Sequence, residues 1–200
     1  MNIVNLHAFT NSARVPTVVL LDLQQEYLAT SRLMALSEAP RALERCRRVL
    51  EHARRVGLPI AYGRLLGRNG YFNAATHLSR WIEGFEPTAS DIVFERNQPS
   101  CYSSKTFAEA MGAGGGQFVL AGFAGEAACL STIIDAFHRN HVVTFLSDAS
   151  ASHALDEYSG AEVHNLVAKV AGIYATVADT DGWINATTGN DNQLAPERIS

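Results

Sequence analysis

Short runs of consecutive β-branched and aliphatic residues alternate along the chain with longer stretches in which apolar residues return every three or four positions. A strand buried on both faces needs no polar side, so this alternation is how a parallel sheet sandwiched between helices reads. Thr17-Val-Val-Leu-Leu-Asp22 is the first such run, opened by Pro16. Residues 39–56 follow as a helix, with Leu43, Cys46, Val49, Leu50 and Ala53 on one stripe and Arg41, Glu44, Arg45, Arg47, Arg48 and Glu51 facing water; Gly57 ends it. Further strands are predicted over residues 59–62, 91–94, 117–122, 142–146 and 174–178, and further helices over 105–111, 126–139 and 157–171. Six strands joined by crossover helices give a three-layer α/β/α, doubly wound and mainly parallel sheet of Rossmann type.

The segments between these elements carry their own signals. Residues 63–90, rich in Gly, Asn, Arg and aromatics and weakly helical near 75–82, are too long for simple padding and read as a lid or binding loop. Gly112-Ala-Gly-Gly-Gly116 invites a phosphate-loop reading, but a helix ends there and a strand follows, the reverse of what a phosphate cradle needs, so it is a helix-to-strand turn. The whole of residues 1–200 reads as one domain with its core at about 16–182, and the polar residues 183–200 as a tail or an arm that packs on a partner subunit.

Composition narrows the function classes. With 47% hydrophobic and 18% charged residues the chain reads as a soluble domain, and no apolar run approaches the roughly 18 residues of a membrane span. Sixteen basic against twenty acidic residues leave a formal charge of -4, which gives no pull toward nucleic acid. The three cysteines, Cys46, Cys101 and Cys129, are too few and too scattered for a disulfide framework, and with no secretion signal they point to the cytoplasm. Seven histidines show no metal-ligand spacing, so neither a metal nor any other cofactor is expected. Asn185-Ala-Thr187 fits a glycosylation acceptor that a cytoplasmic chain would not use.

Open parallel sheets bind ligands beyond the carboxyl ends of their strands. Four places qualify: Asp22 after the first strand, Arg64 after the second, Arg96 after the third, and residues 122–129 after the fourth. Burial would raise the pKa of Asp22 unless a cation such as Arg96 compensates, although an N-cap or a structural ion pair would use the same residues. Cys129 falls in the first turn of a helix, where a thiolate is favoured, yet a buried core thiol is the favoured reading. Cys46 belongs to its helix's apolar stripe, and Cys101, beside Tyr102, could line the pocket without an assigned role. Ser147-Asp-Ala-Ser150 has no Gly-x-Ser-x-Gly elbow and reads as a turn that caps a helix.

Four stretches in this order resemble the isochorismatase-like hydrolases, which include isochorismatase, nicotinamidase and N-carbamoylsarcosine amidase. They are Val18-Val-Leu-Leu-Asp-Leu-Gln-Gln-Glu-Tyr27, Phe94-Glu-Arg-Asn-Gln-Pro-Ser-Cys-Tyr102, Leu120-Ala-Gly-Phe-Ala-Gly-Glu-Ala-Ala-Cys-Leu-Ser-Thr132 with Asp135-Ala136, and residues 143–149. In amide-cleaving members, the resemblance implies, an aspartate takes a thiol proton, a lysine steadies the charges and the thiolate attacks. The aspartate maps to Asp22. The lysine maps to Arg96, four residues before Ser100. The nucleophile, six residues after Gly122 and four before Thr132, maps to Ala128, which leaves Cys129 one residue late and turned about 100 degrees toward the core. Gln24, Tyr27, Arg64, Tyr102, Phe123 and Ala124 are the implied substrate contacts. The resemblance also implies a cis peptide at Phe123-Ala124, with backbone N–H groups aimed at a substrate oxygen, and a dimer or tetramer of like chains.

Two of the three catalytic positions depart from the amidase pattern. Alanine offers no nucleophile, and arginine cannot carry a proton near neutral pH; paired with Asp22 it should also lower that carboxyl's pKa. Isochorismatases resemble this pattern, with a small residue followed by Cys, and cleave a vinyl ether by protonation and water attack. They keep the lysine, however, and carry a glutamine where this chain has Leu65 beside Arg64. Three readings follow: a hydrolase without a covalent intermediate, using Asp22 and Arg96 on a small carboxylate-bearing molecule; a thiol amidase whose distorted turn brings Cys129 into the pocket; and a non-catalytic binding or scaffold protein.

Overall fold

A computed structural model describes residues 15–68 and 70–188. Strands β1 (Thr17–Leu21), β2 (Ile60–Leu65), β3 (Ile92–Arg96), β4 (Gln117–Gly122), β5 (Val142–Ser150) and β6 (Thr176–Ala178) form one six-stranded sheet in the order β3-β2-β1-β4-β5-β6. Every pairing is parallel. The order reverses between β1 and β4, so the chain leaves these two central strands toward opposite edges and opens a crevice beyond their carboxyl ends.

Strand alternation divides the core. Val18 and Leu20 face one apolar layer with Tyr62, Val119 and α1 (Ala39–Val56). Val19 and Leu21 face the other, with Phe94 and Phe118, beneath α2 (Lys105–Ala113), α3 (Leu130–His138) and α4 (Gly160–Tyr174). Helix α1 buries Ala42, Leu43, Cys46, Val49 and Ala53 at helical spacing and ends at Gly57, whose φ of 72° closes the last turn. Helix α4 starts with a capping box in which Ser159 and Glu162 exchange hydrogen bonds. Among the described residues no helix is long and apolar enough to cross a membrane.

Three expectations need correction. Residues 147–150 do not turn; they extend β5, pairing Ser150 with Gly122, and the helix Asp148 serves lies elsewhere, its Oδ1 accepting from the backbone and hydroxyl of Thr180. Residues 180–188 are not a tail but helix α5 (Thr180–Thr188), held on its own chain by buried Trp183, which stacks edge-on with His52 at 5.2 Å, and by Asp181 paired with Arg45 and Arg48. A single buried indole supplies the anchor that the polar composition hides. The rest of the expected arm, 189–200, lies outside the described residues. The helical period near 75–82 amounts to one 3-10 turn at His77–Ser79.

Candidate functional site

The carboxyl ends of β1, β3 and β4 converge where the sheet order reverses. Asp22 leaves β1 at a φ of 53°, a left-handed conformation that aspartate tolerates better than most residues, so its side chain escapes the alternation of Val18 and Leu20. Its carboxylate forms an ion pair with Arg96, the last residue of β3, and both side chains are sealed from solvent. Arg96 Nη1 also donates to Gln98 O at 2.5 Å. Two polar atoms of the pair, Asp22 Oδ1 and Arg96 Nε, are buried with no hydrogen-bond partner among the described residues. Such atoms are rare in folded proteins, and here they leave one acceptor and one donor that nothing among the described residues uses.

Burial pushes the Asp22 carboxyl up to about 7, outweighing the downward pull of the Arg96 guanidinium and the neighbouring Leu65 amide. The expectation that Arg96 would hold this acid low is therefore reversed: the pair lies too deep for one cation to replace the lost water. Asp22 can give or take a proton near neutrality.

The third wall follows β4. Gly122 adopts a φ of 115° with Leu21 O only 2.0 Å from where a Cβ would stand, so only glycine lets β4 pass this close to β1. The Phe123-Ala124 peptide is cis, as the resemblance implied. Of the N–H groups beside it, that of Phe123 is taken by Leu21 O and that of Gly125 by Ala151 O. A π turn over Gly125–Cys129 then buries Ala128, whose carbonyl accepts from Thr132 Oγ1 at 2.7 Å. Tyr27 faces this region, its ring packed on Phe123 at 5.4 Å and Phe72 at 5.1 Å, and burial first, then the Asp22 charge, raise its hydroxyl's pKa.

Other expected contacts are spent on structure. Gln24 uses its side-chain amide on backbone, with Nε2 donating to Leu65 O and Ser79 O and Oε1 accepting from Leu65 N, so it braces the end of β2 against the turn at Ser79. Arg64 turns to the surface, where it pairs with Glu95 and lies over the Trp81 ring. Alternation explains this, because Arg64 follows Tyr62 on the α1 face while Arg96 follows Phe94 on the other. Tyr102 bonds His141 at 2.6 Å, just before the amino end of β5, and Arg139 covers its ring. The distorted turn that the thiol reading requires does exist, yet Cys129 Sγ points at Gly122 O (3.6 Å) and Ser150 Oγ (3.8 Å), and burial raises its pKa.

One feature went unread in the sequence. Glu126, in the π turn, is held by His153, whose Nδ1 lies 2.6 Å from its Oε1 and whose Nε2 lies 3.2 Å from Met34 O; the ring stands 6.0 Å from Tyr27. With acceptors on both nitrogens, the His153 imidazolium is favoured and its pKa rises, the Glu126 hydrogen bond being the main cause. Cys101, expected as a possible pocket-lining residue, packs in the same apolar layer as Ala128. Only the fold, not local spacing, unites these groups.

Comparison with known proteins agrees with this geometry. Residues 16–180 match the family model of the isochorismatase domain. The chain is similar to an isochorismatase from Pseudomonas putida, at 28% identity over 84% of this chain and 89% of that one, with a TM-score of 0.77. It is similar to N-carbamoylsarcosine amidase from Thermoplasma acidophilum, at 25% identity over 84% and 97%, with a TM-score of 0.69. A cysteine hydrolase from Pseudomonas syringae shares the fold at 18% identity, with 90% and 99% covered and a TM-score of 0.78. No curated protein matches the chain.

Proposed function

The chain belongs to the isochorismatase family and is a hydrolase, and from that premise we propose that it cleaves a vinyl ether or C–N bond in a small carboxylate-bearing molecule without a covalent intermediate at position 128 or on Cys129. The observation that carries this reading is the buried Asp22 carboxyl, brought to about 7 and left with one oxygen unpartnered beside an unpartnered guanidinium N–H. A group half-protonated at neutral pH can serve as acid in one step and base in the next.

In the vinyl ether case, protonated Asp22 gives its proton to the double-bond carbon. Water adds to the adjacent cationic carbon and returns a proton to the Asp22 carboxylate, and the resulting hemiketal collapses to a carbonyl and an alcohol. In the C–N case the Asp22 carboxylate takes a proton from water as the water oxygen bonds to the carbonyl carbon, and gives that proton to the nitrogen as the C–N bond breaks, leaving an acid and an amine. Arg96, fixed by Asp22 and Gln98 O, offers its Nε–H to the substrate's carboxylate or carbonyl oxygen. Tyr27, Phe72 and Phe123 supply an apolar wall against which water is scarce and these charges count for more. Ala128 leaves room where amidase relatives need a thiol.

Isochorismate and N-carbamoylsarcosine represent the two bond types. Turnover of either by the wild type should fall about 10²- to 10⁴-fold in Asp22→Asn, the usual worth of a positioned acid–base group, and change little in Cys129→Ala. Undiminished turnover in Asp22→Asn, or its loss in Cys129→Ala, would overturn the reading.

A further inference from the structure

We propose that His153 is a positioning residue: its imidazolium, braced by Glu126, straps residues 29–36 against the Tyr27–Phe123 wall of the site, and loss of one of its two N–H protons releases the strap. Residues 29–36 run from the 3-10 turn Gln25–Leu28, which holds Tyr27, toward α1, and Thr30, Ser31 and Leu33 among them are exposed. Leu36 belongs to the apolar cluster that holds Tyr27, Phe72, Phe123 and Ala124, Met34 packs against that cluster, and Leu36 N–H donates to Tyr27 O at 2.9 Å. The strap therefore lies on the apolar wall of the site. Because the Asp22 and Arg96 side chains have no exposed surface, a ligand reaches them only if a covering segment moves.

Polar groups tether this strap at two points. Arg32 pairs with Glu26, whose side chain is sealed from solvent and whose Oε2 also accepts from Phe72 N at 3.1 Å. At the other point Met34 O lies 3.2 Å from His153 Nε2, while His153 Nδ1 lies 2.6 Å from Glu126 Oε1, in the π turn that carries Ala128. Arginine keeps its charge throughout the neutral range, whereas histidine does not. The imidazolium donates to both acceptors at once, but a neutral ring has a single N–H. That N–H stays on Nδ1, because the other tautomer would set a lone pair against the Glu126 carboxylate. Nε2 then faces the Met34 carbonyl with a lone pair of its own, and the contact turns from attractive to repulsive. Deprotonation thus undoes one bond, the one that holds the strap.

Two titratable groups face the ring among the described residues: Glu126 from the π turn, and Tyr27 from the turn after β1, its ring 6.0 Å away; the strap contributes the Met34 carbonyl. Against the upward push of burial, the His153 hydrogen bond holds the Glu126 carboxyl below its usual value, and burial holds the Tyr27 hydroxyl well above its own, so neither changes charge while His153 titrates. His153 itself, raised chiefly by the Glu126 hydrogen bond, loses its proton above the ordinary 6.5. This inference rests on the proposed function in one respect, that the wall the strap covers is the wall of the substrate site.

The test is hydrogen–deuterium exchange of the folded full-length chain between about pH 5.5 and 9, read by mass spectrometry as protection factors, which remove the intrinsic pH dependence of exchange. The amides of residues 29–36 should lose protection about fivefold as His153 loses its proton, the worth of one hydrogen bond. The last turn of α1, closed by Gly57 N on Arg54 O and Leu58 N on Ala53 O, should keep its own. His153→Gln should show the weaker protection of the strap at every pH, and Glu126→Gln should move the midpoint to lower pH, since the carboxylate that favours the imidazolium is gone. Flat wild-type protection, a loss shared equally by the last turn of α1, or a His153→Gln strap that still follows the wild-type profile would overturn the inference. The wild-type profile decides even if a variant does not fold. Turnover judges the proposed function separately: strap release with Asp22→Asn fully active defeats only the hydrolytic role, and turnover lost in Asp22→Asn with a flat exchange profile defeats only the strap.

Discussion

Two arginine–carboxylate pairs sit side by side at the ends of β2 and β3 and do opposite work. Arg64 and Glu95 face each other directly across the strand pair and remain open to water, with side-chain exposures of 28% and 51%. Arg96 is the next residue after Glu95, yet its side chain and that of Asp22 have 0% exposure. One step along a strand reverses the face, and with it the dielectric. The outer pair is a solvated surface contact; the inner one holds a carboxyl that titrates near neutrality and two polar atoms with nothing to bind. Residue type alone cannot separate ornament from chemistry here, and burial does.

The comparison breaks most sharply if Arg96 is removed. Arg96→Met leaves the Asp22 carboxylate buried without its cation and should cost about 3–5 kcal/mol at pH 8 by urea unfolding, with much of that recovered at pH 5, where Asp22 carries a proton. A loss below about 1 kcal/mol at pH 8 would mean that water reaches the pair.

Asp22 itself should write a pH slope into stability. Its carboxyl lies higher in the fold than the 3.8 of an unperturbed aspartate, so the folded state holds the proton more tightly. The stability this gives is fully present below pH 3.8 and is lost as pH rises through about 7. The lost amount is on the order of 4 kcal/mol, from 1.36 kcal/mol per pH unit. Asp22→Asn should lack this slope, so the difference between the two stability curves should widen steadily across that window and then level off.

Between the two arginine pairs in exposure stands His153 with Glu126, both side chains 17% exposed. A histidine whose pKa is raised stabilises the fold below its unfolded value of about 6.5 and ceases to do so as pH rises through the higher folded value. His153→Gln should therefore cost about 1 kcal/mol at pH 6 and progressively less by pH 8, a partly solvated pair being worth no more. The smallest effect belongs to the outer pair: Arg64→Ala should change stability by less than about 0.5 kcal/mol and leave turnover intact.

Much of this was legible in the sequence, for identifiable reasons. Strands buried on both faces must be uninterrupted apolar runs, so the six strands and their parallel order-reversing sheet followed from patterning, and Asp22 and Arg96 stood out as polar residues at strand ends. Arg64 stood out by the same rule and misled, because the rule locates a strand end without saying which face the side chain takes. The balance at Asp22 was misjudged for a related reason: the partner can be guessed from spacing, whereas the depth that defeats it cannot. Helix α5 was hidden because the partners that hold it, His52 against Trp183, Arg48 on Asp181 and Asp148 at Thr180, lie far away in the sequence.

The central claim is that burial, not the arginine, governs the Asp22 carboxyl. Carbon-13 NMR of aspartate-labelled protein, with Asp22→Asn to assign the resonance, measures its titration directly. A midpoint near 7 is the result expected here, and a midpoint at or below the ordinary aspartate value of about 3.9 would contradict the account.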